Sequence, residues 1–431
     1  MTAITKTTET FTPEKPVLRL RVRRMRLIMA LCLLEVVPAI LVILSYLGFP
    51  LMQLANINQL FIFLAIVGLT SGLTSGTMRY LALAAVLLLI SLINAFSLSG
   101  IGDFNFEADA IFPYYYSILM PTMVFVSIYS QKCVIAKTVI RDLRWFSKWF
   151  VIVISPIIVV YAALHFSGKI SYFGFGVSFH YVTPYFLHRG GMIFLLASLI
   201  LISGKRAVLI NFLAQLFLFK GGEFRRSPIP ILFTCFLLLA VLIFVWDDLA
   251  FFLRRFTLML EVLNTIDLSD GILGLANSYA AIVLFGGRLE EIVGIVEYFT
   301  AHPTQIWFGS PPGANYIWRV EISDLETVKS YAHLTWFGYI FRFGIIPTGA
   351  LLIAFIYRLV SGWDTRNPLW LVYFGILLSA TFGGNLFYSP VAWTMIALYF
   401  RFGAGISEEI RRERGYKNWT YRPSVSRNAQ C

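Results

Sequence analysis

At 431 residues, 58% hydrophobic and only 13% charged, with a mean hydropathy of +0.75, the chain lies outside the range of ordinary soluble domains and reads as a polytopic membrane protein. Its formal charge of +12 is concentrated beside apolar runs, at Arg19 to Arg26, Lys132 to Lys148, Lys220 to Arg226 and in the tail RRERGYK. That is the distribution of cytoplasmic span ends, not of a nucleic-acid surface, so no nucleic acid is expected as a partner.

In chain order, residues 1–26 form a polar, then basic, cytoplasmic tail, and the apolar run after it reads as a signal anchor because it exceeds twenty residues and has no small-residue cleavage site. A hydrocarbon core of about 30 Å needs about 20 apolar residues in a helix. Runs of suitable length are 27–49, 57–75, 80–98, 110–130, 145–166, 228–246, 335–358, 368–386 and 388–404. The acidic stretch 99–109, with Asp103, Glu107 and Asp109, suits an outside loop. Residues 405–431 form a second basic cytoplasmic tail. The four cysteines form no CxxC pair and no disulfide framework.

Residues 167–227 allow two readings. A single span at 185–203 gives ten spans and leaves Ser203 to Arg206 (SGKR) in the cytoplasm. A crossing at 167–187 followed by a tight hairpin, 188–203 and 207–220, gives twelve and brings SGKR outside. The expected fold class is therefore all-α, a transmembrane helical bundle of ten or twelve spans with an N-terminal bundle at 27–246, one large outside loop at 247–334 and C-terminal spans at 335–404.

That loop holds eleven acidic residues against five basic, a balance of −6 in a positive chain. Within it, GGRLEEIVGIVEYFTA places Leu289, Ile292, Val293, Val296 and Phe299 at helical spacing, which predicts an amphipathic helix. The following AHPTQIWFGSPPGANYIW reads as a Pro/Gly-punctuated loop whose Trp307 suits the headgroup zone, with stacking on a sugar as the alternative.

The sequence lacks a P-loop, a dinucleotide fingerprint and HExxH, and neither a cofactor nor a metal is expected. Asp247-Asp248 reads as interfacial charge. The candidates for chemistry are cations. Arg288 heads the amphipathic helix, where it serves as a phosphate clamp or pairs with Glu291 three residues on. His333 stands where the loop re-enters the membrane and is a natural proton acceptor at neutral pH. His302, before a proline, reads as a turn residue. Lys205 and Arg206 are positive-inside residues if cytoplasmic, and diphosphate ligands if external. Arg342 lies within an apolar run and calls for a partner, for which Glu35, buried ahead of Pro38, is suited.

The order of these elements resembles the O-antigen polymerase and O-antigen ligase superfamily of bacterial envelope glycosyltransferases. The resemblance covers roughly 185–358: a small-Gly-x-Arg element (SGKR, 203–206), a large loop carrying an arginine (GGR, ending at Arg288), a glycine-bearing turn (FGSPPG, 308–313) and a histidine opening the next span (AHLTWFGYIFRFG). The family often has serine where Lys205 stands and asparagine where Leu334 stands. The resemblance implies transfer of a glycan from undecaprenyl diphosphate to a hydroxyl acceptor on the periplasmic side of the inner membrane, as in O-antigen, capsule or exopolysaccharide polymerisation, or to a lipid or protein acceptor as in a ligase. It implies Arg206, Arg288 and His333 as catalytic residues; Lys205, Arg342 and Trp307 are the candidate substrate contacts of this chain. It favours twelve spans, since Arg206 then faces the periplasm. Expected partners are the undecaprenyl-diphosphate-linked glycan, membrane lipid, and a chain-length regulator and flippase of the same route. A lipid-linked oligosaccharide flippase is the alternative of another class, disfavoured because the sequence shows no internal repeat; a non-catalytic scaffold is a third reading.

Overall fold

A computed structural model describes residues 25–49, 53–70, 86, 108–130, 136–167, 179–187, 190–202, 206–224, 288–320, 325–329, 334–382 and 389–418. These residues are mostly helical. The expected span at 80–98 apart from residue 86, that at 228–246, the loop from 247 to 287, and residues 1–24 and 419–431 lie outside this set.

The helices are α1 (Val37–Tyr46), preceded by a 3-10 turn at Leu33–Val36, α2 (Gln53–Thr70), α3 (Ala108–Ser130), α4 (Ala136–Phe166), α5 (Thr183–Phe186), α6 (Gly190–Ile202) and α7 (Arg206–Phe224). After the undescribed stretch come α8 (Arg288–Ala301), α9 (Gln305–Phe308), strands β1 (Tyr316–Val320) and β2 (Leu325–Lys329), then α10 (Thr335–Phe343), α11 (Ile345–Ser361), α12 (Pro368–Phe382) and α13 (Pro390–Asn418).

Among the described residues, two helices are long and apolar enough to cross a membrane by length and composition, Met25–Ser45 and Ala136–Leu164. Shorter apolar helices are Tyr116–Ser130, Val208–Phe219, Ile345–Ser361 and Pro368–Thr381. A twelve-span bundle is thus an expectation met only in its helical character. The hairpin helices it requires are present as α6 and α7, but 179–187, expected within a crossing helix, forms a 3-10 turn at Phe179–Tyr181 and the single turn α5.

Three further boundaries differ from expectation. The run 335–358 is two helices, because Gly344 at φ 80 and ψ 175 takes a conformation essentially closed to residues with a Cβ. The basic residues from 136 onward belong to α4, which starts nine residues before the expected span at 145. The expected tail from 405 continues α13 without interruption to Asn418. The segment read as all loop also begins an antiparallel pair, β1 with β2, in a register that sets Tyr316 against Lys329 and Arg319 against Glu326.

The bundle is centred on α12 and α13. The sequence PLWLVYFGILLSATF is apolar on every side, as a helix surrounded by others should be, and Trp370, Tyr373 and Ile376 are fully enclosed. Tyr373 and Tyr399 stack at 4.5 Å, and Tyr373 donates to the Phe355 carbonyl at 2.9 Å, tying α12 to α13 and α11. The outer faces are also apolar: Phe61, Leu64, Trp149, Val159, Phe217, Ile353 and others point outward.

Candidate functional site

The loop residues that follow 287 build a small platform on α10. Its core is Ile295, Phe299, Tyr316 and Phe341. Phe341 sits edge-on to Tyr316 at 5.2 Å and to Tyr298 at 5.0 Å, so one aromatic ring from α10 roots both α8 and β1. Gly294 makes the close approach possible, because a Cβ there would strike the Ile317 carbonyl.

The buried side of α8 is therefore Glu291, Gly294, Ile295 and Phe299, and Val296, expected on the inward stripe, is 55% exposed. Burial follows the rings and the glycine that fit the partner, not apolarity alone. Tyr298 donates to Gln305 Oε1 at 2.6 Å and stacks on His302 at 4.6 Å, which joins α8 to α9. Burial pushes the Tyr298 phenol up to about 12, so it stays a donor across the neutral range.

Arg288 is the first residue of α8, and its Nη1 lies 3.9 Å from Glu291 Oε1, the three-residue pair that the spacing allows. At that distance the contact is an ion pair without a hydrogen bond. Neither carboxylate oxygen of Glu290 has a hydrogen-bond partner, and both are shielded from solvent. Burial raises the Glu290 carboxyl above its ordinary range; the residue's own backbone N–H offsets part of that shift, and the neighbouring Glu291 adds to it.

The platform is fastened at a second point. Ser310 donates its backbone N–H to the Phe341 carbonyl at 2.8 Å, and the chain at Gly309 lies on the backbone of Arg342 and Phe343. Arg342 is 2% exposed and occupies the last turn of α10, where a cation complements the helix dipole. Its expected partner Glu35 is engaged elsewhere: Glu35 accepts from Ser389 Oγ at 2.9 Å, joining the first helix to α13. Oε2 of Glu35 has no hydrogen-bond partner, so no hydrogen bond joins that oxygen to Arg342.

Arg288, Trp307 and Arg342 thus belong to one substructure. Trp307 is 54% exposed at the end of α9. Arg206 opens α7, away from the platform elements in sequence; its side chain, Lys205 and His333 lie outside the described residues. Helix α10 starts at Thr335, with Leu334 extended. Among the described residues no group of three His, Cys, Asp or Glu is placed to hold a metal ion.

The opposite end of α11 is basic. Asn367, in the turn after α11, donates to the Gly403 carbonyl at 2.7 Å and to Ser407 at 2.9 Å, and Arg358 Nη2 donates to the Phe400 carbonyl at 3.0 Å. Arg401 donates to the Ile128 carbonyl at the end of α3. Asp142, fully buried, lies 3.3 Å from both Arg26 and Arg141.

Sequence reasoning missed a buried polar network in the bundle. Asn211 donates to the Gly375 carbonyl and to Ser379 Oγ, both at 2.6 Å, and Gln215 donates to the Leu371 carbonyl at 3.0 Å. Ser379 Oγ lies 3.4 Å from His180 Nδ1. The signal was present: Asn211 and Gln215 stand four residues apart, on one face of an otherwise apolar run.

Compared with models of known protein families, with curated proteins and with solved structures, the chain matches none.

Proposed function

We propose that the chain is a multi-pass membrane glycosyltransferase that transfers or polymerises glycan carried on undecaprenyl diphosphate at the outer face of a bacterial inner membrane. The observation that supports this best is the mounting of the Arg288 helix: a loop element headed by a guanidinium is locked onto one end of α11, and the basic cluster lies at the other end. In this reading the basic end is taken as cytoplasmic by the positive-inside rule, and the platform as periplasmic. The outward apolar side chains of α2, α4, α7 and α11 suit lipid and would be costly in water.

In this reading the acceptor hydroxyl oxygen attacks the anomeric carbon of the lipid-linked sugar. His333 takes the hydroxyl proton, the bond from the anomeric carbon to the diphosphate oxygen breaks, and its electron pair leaves with the lipid diphosphate. Arg288 and Arg206 meet the charge that develops on that leaving group, and Lys205 contacts the diphosphate. Fixed cations aimed at developing charge in a water-poor site are each worth about 3–4 kcal/mol of barrier. Arg342, enclosed under Gly309, is assigned to holding the α10–α11 break instead of touching substrate.

The test is transfer by purified protein from a lipid-linked donor, comparing wild type with Arg288→Ala and His333→Ala. Each substitution is expected to lower turnover at least a hundredfold. Wild-type rates in both variants would overturn the assignment.

The break at Gly344 also favours a second reading, a flippase for lipid-linked oligosaccharides, since interrupted helices are common in transporters. The two separate in a deletion strain: loss of the transferase leaves single repeat units outside the membrane, and loss of a flippase leaves them inside.

A further inference from the structure

Helix α11 has one enclosed side, with Thr348 and Phe355, and one bare side that runs from Ile345 and Ile346 through Ile353 to Val360. Its seventeen residues span about 25 Å at a rise of 1.5 Å each, within a turn or so of the roughly 30 Å of a hydrocarbon core. An exposed tryptophan marks each end. Trp363 follows the C-terminal end, next to the basic cluster. At the N-terminal end no tryptophan of α11 itself is available, and Trp307 of the platform takes the place. A Cβ on Gly344 would strike the Trp307 carbonyl and meet the Phe308 nitrogen, so α9 sits directly at the head of the bare stripe. Phe308, 45% exposed, continues the apolar surface beside it. Tryptophan concentrates where hydrocarbon meets headgroups, because its ring is apolar and its N–H seeks water.

We propose that the turn Gln305–Gly309 is a lipid-interface foot: Trp307 and Phe308 seat in the headgroup layer of a phospholipid leaflet, at the head of α11, and fix the depth of the Arg288 helix. The proposal rests on reading the bundle as membrane-embedded. It adds a partner, the headgroup–acyl boundary, and a consequence. Tyr298 and Gln305 join α8 to the foot, and Phe341 joins it to α10, so the whole platform is held at one height above the hydrocarbon. A lipid diphosphate carries its charge at that same height, so a fixed platform removes a search in depth.

The test uses the full chain with its four native cysteines replaced and one cysteine introduced at a time, Ala301→Cys, Phe308→Cys or Ile353→Cys, each labelled with an environment-sensitive fluorophore. The labelled proteins are reconstituted in phosphatidylcholine vesicles containing lipids spin-labelled near the headgroup or deep in the chain. The label at 353 should be quenched most by the deep probe, at 308 most by the shallow probe and at 301 mainly by aqueous iodide. Adding Trp307→Ala to the 308 variant should lower its shallow quenching at least twofold. A 308 label that follows 301 while 353 remains deep overturns the foot and leaves the membrane reading intact. A 308 label shielded from both lipid probes and iodide also overturns it, since protein then covers the site. If 353 is quenched only by iodide, the membrane reading fails together with the foot.

Discussion

Gly309 and Gly344 lie back to back, and both adopt backbone angles that glycine alone tolerates. Gly309 has φ 91 and ψ 172, and Gly344 has φ 80 and ψ 175. A Cβ on Gly309 would strike the Arg342 carbonyl, and one on Gly344 would strike the Trp307 carbonyl. Each glycine therefore serves the other's chain: the loop can settle on the helix break only because both are bare.

Gly309→Ala and Gly344→Ala should each destabilise the protein by about 2–4 kcal/mol, through forced backbone angles and overlap with main chain that cannot move aside. Gly349, four residues into α11, has nothing within 4 Å of its Cβ position, and Gly349→Ala should be neutral or stabilising by up to about 1 kcal/mol. Thermal unfolding in detergent compares the three. Equal midpoints for all of them would refute the interlock.

Phe341 is the other fastening, and its loss should release the platform without unfolding the bundle. Phe341→Ala removes a ring shared by Tyr298, Phe299 and Tyr316, a change that costs about 3–5 kcal/mol in a packed core. Because the ring joins the platform to α10, limited proteolysis should cut between Ala301 and Gly313 at least tenfold faster in the variant. Cleavage rates equal to wild type would mean that the platform holds itself up by other contacts.

The polar network between α7 and α12 gives a prediction of the opposite kind, at a site with no assigned chemistry. The Gly375 and Leu371 carbonyls can only accept, which fixes the orientation of both amides: Asn211 and Gln215 turn their NH2 groups to those carbonyls. Interhelical hydrogen bonds of this sort are worth about 0.6–1.7 kcal/mol each among apolar helices. Asn211→Leu should lower the unfolding midpoint by the equivalent of about 1–3 kcal/mol with two such bonds gone. Gly375→Ala should do at least as much harm, since its Cβ would strike Gln215 Nε2 and force that amide off the carbonyl it donates to. Midpoints unchanged in both variants would show that the network carries no stability.

How much of this was legible in the sequence depends on the kind of signal. Long apolar runs marked the Met25–Ser45 helix, α3 and α12 with small errors at their ends, because the length of an apolar run reports helix existence directly. Which side of a helix faces inward was harder. Outside this bundle the surface is apolar too, so hydrophobic spacing lost its meaning as a compass: Val296 and Ile353 point out while Glu291 and Asn211 point in. Small and polar residues were the better guide. Gly294, Gly309, Gly344 and Gly375 each mark a contact that a Cβ would prevent. The split of 335–358 was hidden by an unbroken apolar composition, and only Gly344 followed by Pro347 hinted at it. The candidate site was legible as an order of motifs, and the joining of the elements that carry Arg288, Trp307 and Arg342 was not, because it depends on Phe341 and on two glycines distant in sequence.

The last prediction concerns Glu290, whose two carboxylate oxygens are shielded and lack hydrogen-bond partners. Its carboxyl is raised from an ordinary value of 4.5, chiefly by burial, which outweighs the opposing pull of its own backbone N–H, with a further contribution from Glu291. The folded protein therefore holds this proton to a higher pH than the unfolded chain does. Where the folded state binds more protons, stability falls as pH rises. The contribution of Glu290 is fully present below the unfolded value, and it is lost as pH rises from there through the folded value. Glu290→Gln keeps the shape and removes the charge, so it should raise the unfolding midpoint at pH 7 and change little at pH 4. Unfolding midpoints measured from pH 4 to pH 8 for both proteins decide the matter. A Glu290→Gln curve parallel to wild type throughout would show that the carboxyl titrates alike in the folded and unfolded states, and that its shielding has no energetic weight.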